Sequence, residues 1–307
     1  MDERFAEVGD GITLCYETFG DPSAPPILLI MGLGMQMLAW DERFCRELAD
    51  RGFHVIRYDN RDTGRSTHLD GAPAPTLLQL LRRRVPAPPY KLPDMALDAV
   101  GLLDVLGLTD AHVVGASMGG MIAQTVAARH PRRVRSLVSI MSNTGARWSG
   151  QPRLRSYQVL IGRPRNSREA FVEHSVKMWS LIGSPGFAAD EIELRELVGL
   201  GYDRAYTPAG TARQLGAIVA SGDRRRELRA VQAPTLVIHG DADRLVAPSG
   251  GRATAKAIPG ARLMMVPGLG HDLPRPAWPQ ILDAIERHVR AADAAAGRGV
   301  AGGVRAA

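Results

Sequence analysis

The segment Val113-Val114-Gly115-Ala116-Ser117-Met118-Gly119-Gly120-Met121-Ile122-Ala123 constrains what this chain can fold into more than any other stretch. A short apolar run ends at Gly115 and a run of helical character starts after Ser117, the pattern of a buried strand turning directly into a helix. In so tight a turn the apical residue takes a strained backbone conformation, and side chains two positions to either side clash unless they are glycine. Gly115 and Gly119 meet that demand. The turn lifts the Ser117 hydroxyl above a sheet at a helix N-terminus, where backbone N–H groups can meet a developing negative charge.

The rest of the chain supplies the sheet that such a turn requires. Between residues 26 and 142, short apolar runs (Ile27–Met31, Val55-Ile56, Val113-Val114, Leu137–Ile140) alternate with segments of helical period. Runs of this kind are strands buried on both faces of a parallel sheet, and their alternation with helices predicts a doubly wound α/β architecture. Met95, Ala99, Leu102, Leu103 and Leu106 share one helix face before Gly107, and the helix after the serine closes at His130-Pro131. Ahead of the sheet, Ile12, Leu14 and Tyr16 alternate with Thr13, Cys15 and Glu17 after Gly9-Asp10-Gly11, which predicts a hairpin at one edge. The strand pattern stops near Asn143 and resumes at Thr235–Ile238 and Leu263–Val266. We therefore expect a core domain of residues 1–142 and 231–292 with a helical cap, 143–230, inserted once into the sheet. Helix starts in the cap are signalled at Ser167, Asp190 and Thr207-Pro208. From about Asp293 the chain is mostly Ala, Gly and Arg without apolar period, so 293–307 reads as a disordered tail.

A serine hydroxyl is a poor nucleophile near neutrality, so the elbow calls for a histidine base and an orienting carboxylate further along the chain. Thr235–Ile238 runs into His239-Gly240-Asp241-Ala242-Asp243-Arg244, and Leu263–Val266 runs into Pro267-Gly268-Leu269-Gly270-His271. Both candidates follow the C-terminal ends of strands, the edge where open α/β sheets build their sites. Asp243 is the expected acid because it lies deeper in its loop, and Asp241 is the alternative. His271 is the expected base, with glycine freedom immediately before it. His54, His112, His130, His174 and His288 fall within strands or helices and His68 in a loop without a partner pattern, so they read as structural or solvent-facing; His239 precedes its turn and reads as packing. For the oxyanion the backbone N–H groups of Leu33 and Met118 are the expected donors, since Gly32 and Gly34 let the main chain turn inward beside the serine.

Charge and cysteine content narrow the partners. The net charge of +6 comes from arginines in short runs such as Arg82-Arg83-Arg84, Arg132-Arg133 and Arg224-Arg225-Arg226, without a nucleic-acid recognition motif, so they read as a solvated surface, with a patch for an anionic surface or substrate as the alternative. No run is long enough for a membrane helix, and the first residues lack a signal-peptide pattern; the expectation is a cytoplasmic protein. Cys15 and Cys45 have neither metal-ligand spacing nor disulfide density and read as small buried side chains. We expect no metal and no organic cofactor. Met35, Met37, Leu38 and Trp40 after the oxyanion turn, with Met178, Trp179, Leu181, Ile182 and Phe187 in the cap, are candidates to line an apolar pocket or are plain core; Met35, Trp40, Met178 and Trp179 are the substrate-binding candidates. Val85-Pro86-Ala87-Pro88-Pro89 is either a semi-rigid loop near the entrance or a connector.

Taken together, Gly115–Gly120, Gly240–Asp243 and Gly270-His271 resemble the three catalytic elements of the α/β-hydrolase superfamily, with the likeness spanning essentially residues 5–292. Ile27–Gly32, Trp40 and Phe53–Thr67 are similar to the aclacinomycin methylesterase branch, which contains esterases acting on bulky hydrophobic esters. That resemblance implies that Asp59 and Arg61 fix the loop beside the oxyanion turn rather than perform chemistry. The sequence departs from the branch at Leu33-Gly34-Met35-Gln36, where a more polar stretch is usual, and its cap motifs show no likeness. Serine at 117, where the epoxide hydrolases and haloalkane dehalogenases of this fold carry aspartate, argues against both activities. What remains is carboxylic ester hydrolysis through an acyl-enzyme on a hydrophobic ester; alternatives of the same triad are lactone, thioester or carbon–carbon hydrolysis and cofactor-free perhydrolysis. A ligand receptor that keeps the triad without efficient turnover is the reading outside enzymology. The sequence carries no signal for oligomeric state.

Overall fold

The computed structural model describes residues 2–156, 167–188 and 190–297. Eight strands form one sheet: β1 (Arg4–Gly9), β2 (Ile12–Phe19), β3 (Pro26–Ile30), β4 (His54–Tyr58), β5 (Ala111–Ala116), β6 (Val134–Ile140), β7 (Thr235–Gly240) and β8 (Arg262–Val266), in the order β1-β2-β4-β3-β5-β6-β7-β8. β1 pairs antiparallel with β2, and β2 with β4; every later pairing is parallel. The expected edge hairpin turns through Gly9, Asp10 and Gly11, all at positive φ.

The strand order reverses at β3, which has β4 on one side and β5 on the other. At such a switch point the loops leaving the strand ends diverge to opposite faces and open a crevice. The loop after β3 begins at Met31 and the elbow after β5 at Ser117, with Ile30 and Gly115 in register. The topology alone thus brings Gly32–Gly34 beside the serine.

Helices α1 (Glu42–Asp50) and α10 (Trp278–Ala295) cover one face of the sheet, against Ile27, Leu29, Val55, Val114, Val138 and Ile238. On the other face α3 (Leu92–Val105) and α4 (Met118–Arg129) pack on Leu28, Ile30, Ile56, Val113 and Leu137. The short α2 (Leu77–Leu81) precedes α3. After β6 come α5 (Arg168–Ile182), α6 (Glu191–Arg204), α7 (Pro208–Ser221) and α8 (Arg225–Leu228), and α9 (Ser249–Ala257) lies between β7 and β8. Among the described residues no strand interrupts that insertion. Its start signals hold: Ser167 and Asp190 accept N-terminal amides of α5 and α6, and Thr207-Pro208 opens α7. Residues 157–166, within the expected cap, lie outside the described residues.

Four expectations need correction. The tail does not begin at Asp293: α10 runs on to Ala295, because Asp293 is buried and its carboxylate meets His112 Nε2 at 3.2 Å. Burial holds the His112 imidazole down to about 4, so the contact is a hydrogen bond to a neutral ring near neutrality. The remainder of the expected tail, 298–307, lies outside the described residues. β8 is an edge strand, with Arg262 and Leu263 exposed, since an apolar run does not say whether a neighbour follows. Arg224 is no solvated surface residue: it is buried, donating to Gln124 Oε1 at 3.0 Å and Asn143 O at 2.7 Å. Finally, Trp40 is 1% exposed and sits in the core, its ring 5.6 Å from that of Phe44, which in turn meets Trp278 edge-on. A pocket-lining position is not where it stands; an indole of this size on a short apolar turn is worth more as core.

Cys15 and Cys45 are free and buried, as expected, and burial pushes both thiols up to about 12.

Candidate active site

Ser117 is the apex of the elbow, with φ 55° and ψ −118°. That strained conformation persists because the turn is over-determined. Its amide donates to Ile140 O at 2.9 Å, and a Cβ on Gly115 would lie 2.1 Å from Gly119 O, one on Gly119 2.0 Å from Ile30 O. Only glycine lets β5 and α4 approach so closely.

The three side chains that the motifs single out converge there. His271 Nε2 lies 3.0 Å from Ser117 Oγ, and His271 Nδ1 lies 2.7 Å from Asp243 Oδ2. The other carboxylate oxygen, Oδ1, accepts the amides of Leu245 and Val246 at 2.9 and 2.8 Å, which fixes the carboxylate plane towards the ring. Asp243 and His271 are both buried. Asp241 points elsewhere: it is exposed, and its Oδ1 accepts the Gly268 amide at 2.7 Å. Of the two acids in the loop, geometry joins Asp243 to the histidine and uses Asp241 to brace the loop that carries it. His239 is buried with Nε2 on Val246 O at 2.8 Å, and stands 3.5 Å from Asp243 Oδ2 as packing beside the acid.

The loop after β3 lies against the serine. A Cβ on Gly32 would sit 3.1 Å from Ser117 Cβ, and Gly34 takes a φ of +66°. Neither the Leu33 nor the Met118 amide has a partner among the described residues. One belongs to the loop that packs on Ser117 and the other opens the helix that follows it.

Several residues hold this arrangement without having been legible as site residues. Gln214 on α7 accepts the Gly34 amide at 2.8 Å through Oε1, while its Nε2 donates to Arg61 O and Thr63 Oγ1 at 2.8 and 2.6 Å. Asn60 Nδ2 donates to Met31 O at 2.9 Å. Asp59 accepts the Met37 amide at 2.7 Å and pairs with Arg204 of α6 at 2.6 Å, so it does brace the oxyanion loop. Arg61 reaches the other way, bidentate on Asp98 of α3.

At the histidine end the main chain of α5's C-terminus is stitched to the base: Ile182 O accepts the His271 amide at 2.8 Å and Ser184 Oγ accepts the Gly270 amide at 2.8 Å. Ser184 in turn donates to Asp272, whose carboxyl burial pushes above the ordinary range. A Cβ on Gly270 would lie 2.3 Å from the Gly183 carbonyl, so glycine there serves contact with α5 as well as turning freedom. The only advance signal was the adjacency of Asp272 to His271; Gln214 is paired across 180 residues and gave none.

Of the apolar candidates, Met35 is half-buried against the cluster of Ile27, Leu29 and Trp40. Met178 and Trp179 are half-buried on α5, and Trp179 packs on Val172, Val176 and Val198 of the inserted helices. Among the described residues no group of three or more His, Cys, Asp or Glu side chains is placed to hold a metal ion, and no helix is long and apolar enough to cross a membrane.

This sheet order, with a serine elbow after its fifth strand and a histidine after its eighth, defines the α/β hydrolase class. The family model described as alpha/beta hydrolase fold matches residues 25–274, and the chain belongs to that family. It is 31% identical over 304 residues to the rhodomycin D methylesterase of Streptomyces sp. strain C5, covering 92% of this chain and 97% of that one. The rhodomycin D methylesterase of Streptomyces peucetius matches with the same identity and coverage. The likeness therefore runs through the inserted helices too, where motifs alone gave none. Among solved structures, a putative lipase from Acinetobacter baumannii superposes with a TM-score of 0.75 at 18% identity, over 96% of this chain and 92% of that chain.

Proposed function

We propose that this protein is a carboxylic ester hydrolase in which Ser117 is the nucleophile, His271 the general base and Asp243 the acid that orients it. The observation that carries the reading is the continuous path Ser117 Oγ, His271 Nε2, His271 Nδ1, Asp243 Oδ2, with steps of 3.0 and 2.7 Å. His271 takes the Ser117 proton as the hydroxyl attacks the ester carbonyl; Asp243 keeps Nδ1 protonated and stabilises the imidazolium. The Leu33 and Met118 amides hold the oxyanion, His271 returns the proton to the leaving alcohol, and water then hydrolyses the acyl-enzyme by the same route. No step calls on a metal or organic cofactor.

In this reading residues 143–230 form a cap that measures the substrate, with Met178, Trp179 and Met35 as candidate contacts. Two relatives 31% identical along nearly the whole chain bear the name methylesterase, which favours an ester whose small half is methanol and whose large half meets the cap. The cytoplasmic setting stays part of the proposal.

The experiment is a panel of esters in which acyl length and alcohol size vary independently, run with matched lactones and thioesters. We expect methyl esters of bulky apolar acids to give acid and methanol with the highest kcat/KM, and Ser117→Ala to lose on the order of 10⁶ in kcat. A panel in which only lactones or thioesters turn over would overturn the ester assignment while leaving the triad.

A further inference from the structure

One face of the molecule presents apolar and cationic groups together. Helix α2 opens at Thr76 in a capping box with Gln79 and turns Leu77, Leu78 and Leu81 outward, 53, 55 and 66% exposed. These positions form one stripe, with the half-buried Leu80 turned towards the body. Arg82, Arg83 and Arg84 follow, all exposed. Arg82 and Arg83 line a cleft of about 670 Å³ together with Trp148, 88% exposed, whose ring centroid lies 5.4 Å from the Arg147 guanidinium. Arg83 donates to Gln151 Oε1 at 3.2 Å, which ties the two rims. Arg225, Arg229 and Lys256 line the same cleft, and its single carboxylate, Asp223, is engaged by Arg225.

Three exposed leucines and an exposed tryptophan in one neighbourhood need an apolar cover. The cations decide which. Arg82, Arg147, Arg229 and Lys256 make no ion pair among the described residues. A second copy of the chain would oppose like charge to like charge, and nucleic acid would meet the arginines but leave the leucines in water. An anionic bilayer meets both demands, with phosphates at the level of the guanidinium groups and acyl chains beneath for leucine and indole. We propose that the face formed by α2 and the Arg147-Trp148 turn seats the protein reversibly on an anionic lipid surface. Helix α7 links that face to the catalytic loop, since Gly222 at its end lines the cleft and its Thr211 packs on Gly34.

The test is co-sedimentation of the full chain with phosphatidylcholine vesicles made with and without phosphatidylglycerol, with tryptophan emission read in parallel. The chain should pellet only with the anionic vesicles, less so as salt is raised, and Trp148 should carry a blue shift. A variant combining Leu77→Ser, Leu78→Ser and Leu81→Ser, and separately Arg147→Glu, should each bind at least about tenfold more weakly, given the apolar area and the charge removed. Both should keep the parent's circular dichroism and its rate on a soluble ester. The proposal is overturned if the parent stays in the supernatant with anionic vesicles at low salt, or if both variants pellet like the parent. It is equally overturned if duplex DNA binds the parent and the leucine variant alike while vesicles bind neither.

Discussion

The ends of β5, β7 and β8 and the inserted helices α5 to α7 contribute to the same site by different means. At the strand ends, position is set by backbone. Glycines at 115 and 119 remove side chains that would collide within 2.1 Å, Ser117 is held at a positive φ, and Asp243 is oriented by two amides of its own loop. In the insertion, position is set by side chains reaching from the helices and the loop after α5, such as Gln214 to Gly34, Arg204 to Asp59 and Ser184 to Asp272. Constraints of the first kind tolerate few residue types at each position. Those of the second kind can be met by many combinations.

This difference orders the expected effects of substitution. The largest should fall at the strand ends: Asp243→Asn should lower kcat about 10⁴-fold by presenting the wrong tautomer of His271, whereas Asp241→Asn, which keeps a side-chain oxygen for the Gly268 amide, should stay within about tenfold. Steady-state kinetics on one good ester decides this, and the reverse order would make Asp241 the acid. An intermediate effect should come from Gln214, an inserted residue that reaches the loop after β3. Gln214→Ala frees the Gly34 amide and should reduce kcat by up to about 10²-fold with little change in KM, because it loosens a donor used in the transition state. A change confined to KM would put Gln214 in substrate binding instead. The smallest effect should come from α5: Met178→Ala and Trp179→Ala should shift kcat/KM between small and bulky esters by about tenfold and leave kcat on the best small ester near the parent's. Equal losses on every ester would mean that these residues support the fold rather than read the substrate.

Legibility from sequence followed the same division. The sheet, the elbow and the convergence of Ser117, His271 and Asp243 could be read because each demands a residue type at a fixed place: glycine for close approach, a histidine after free-turning glycines, an acid past a strand end. Even there the choice between Asp241 and Asp243 rested on loop depth, and only the 2.7 Å contact of Asp243 Oδ2 with His271 Nδ1, held in line by the amides of Leu245 and Val246, makes it geometric. The helix starts of the insertion were legible from Ser167, Asp190 and Thr207, since capping is local. What those helices touch was not. Gln214 and Ser184 carry no local pattern, Trp40 has the composition of a pocket and the burial of a core, and Arg224 stands in a run of arginines from which it alone turns inward. For Gln214, Ser184 and Arg224 long-range pairing decides, and no window of sequence contains both partners.

The central claim is that one serine is activated by one histidine, and a fluorophosphonate reads it directly because its phosphorus reacts with an activated hydroxyl and needs no guess at the substrate. Labelling followed by mass spectrometry of the peptide spanning Ala111 to Arg129 should give a single adduct, on Ser117. The rate should nearly vanish in His271→Ala and survive in a His239→Gln control, since His239 packs beside Asp243 without touching the serine. An adduct on any other serine, or labelling of Ser117 that is indifferent to His271, would contradict the account.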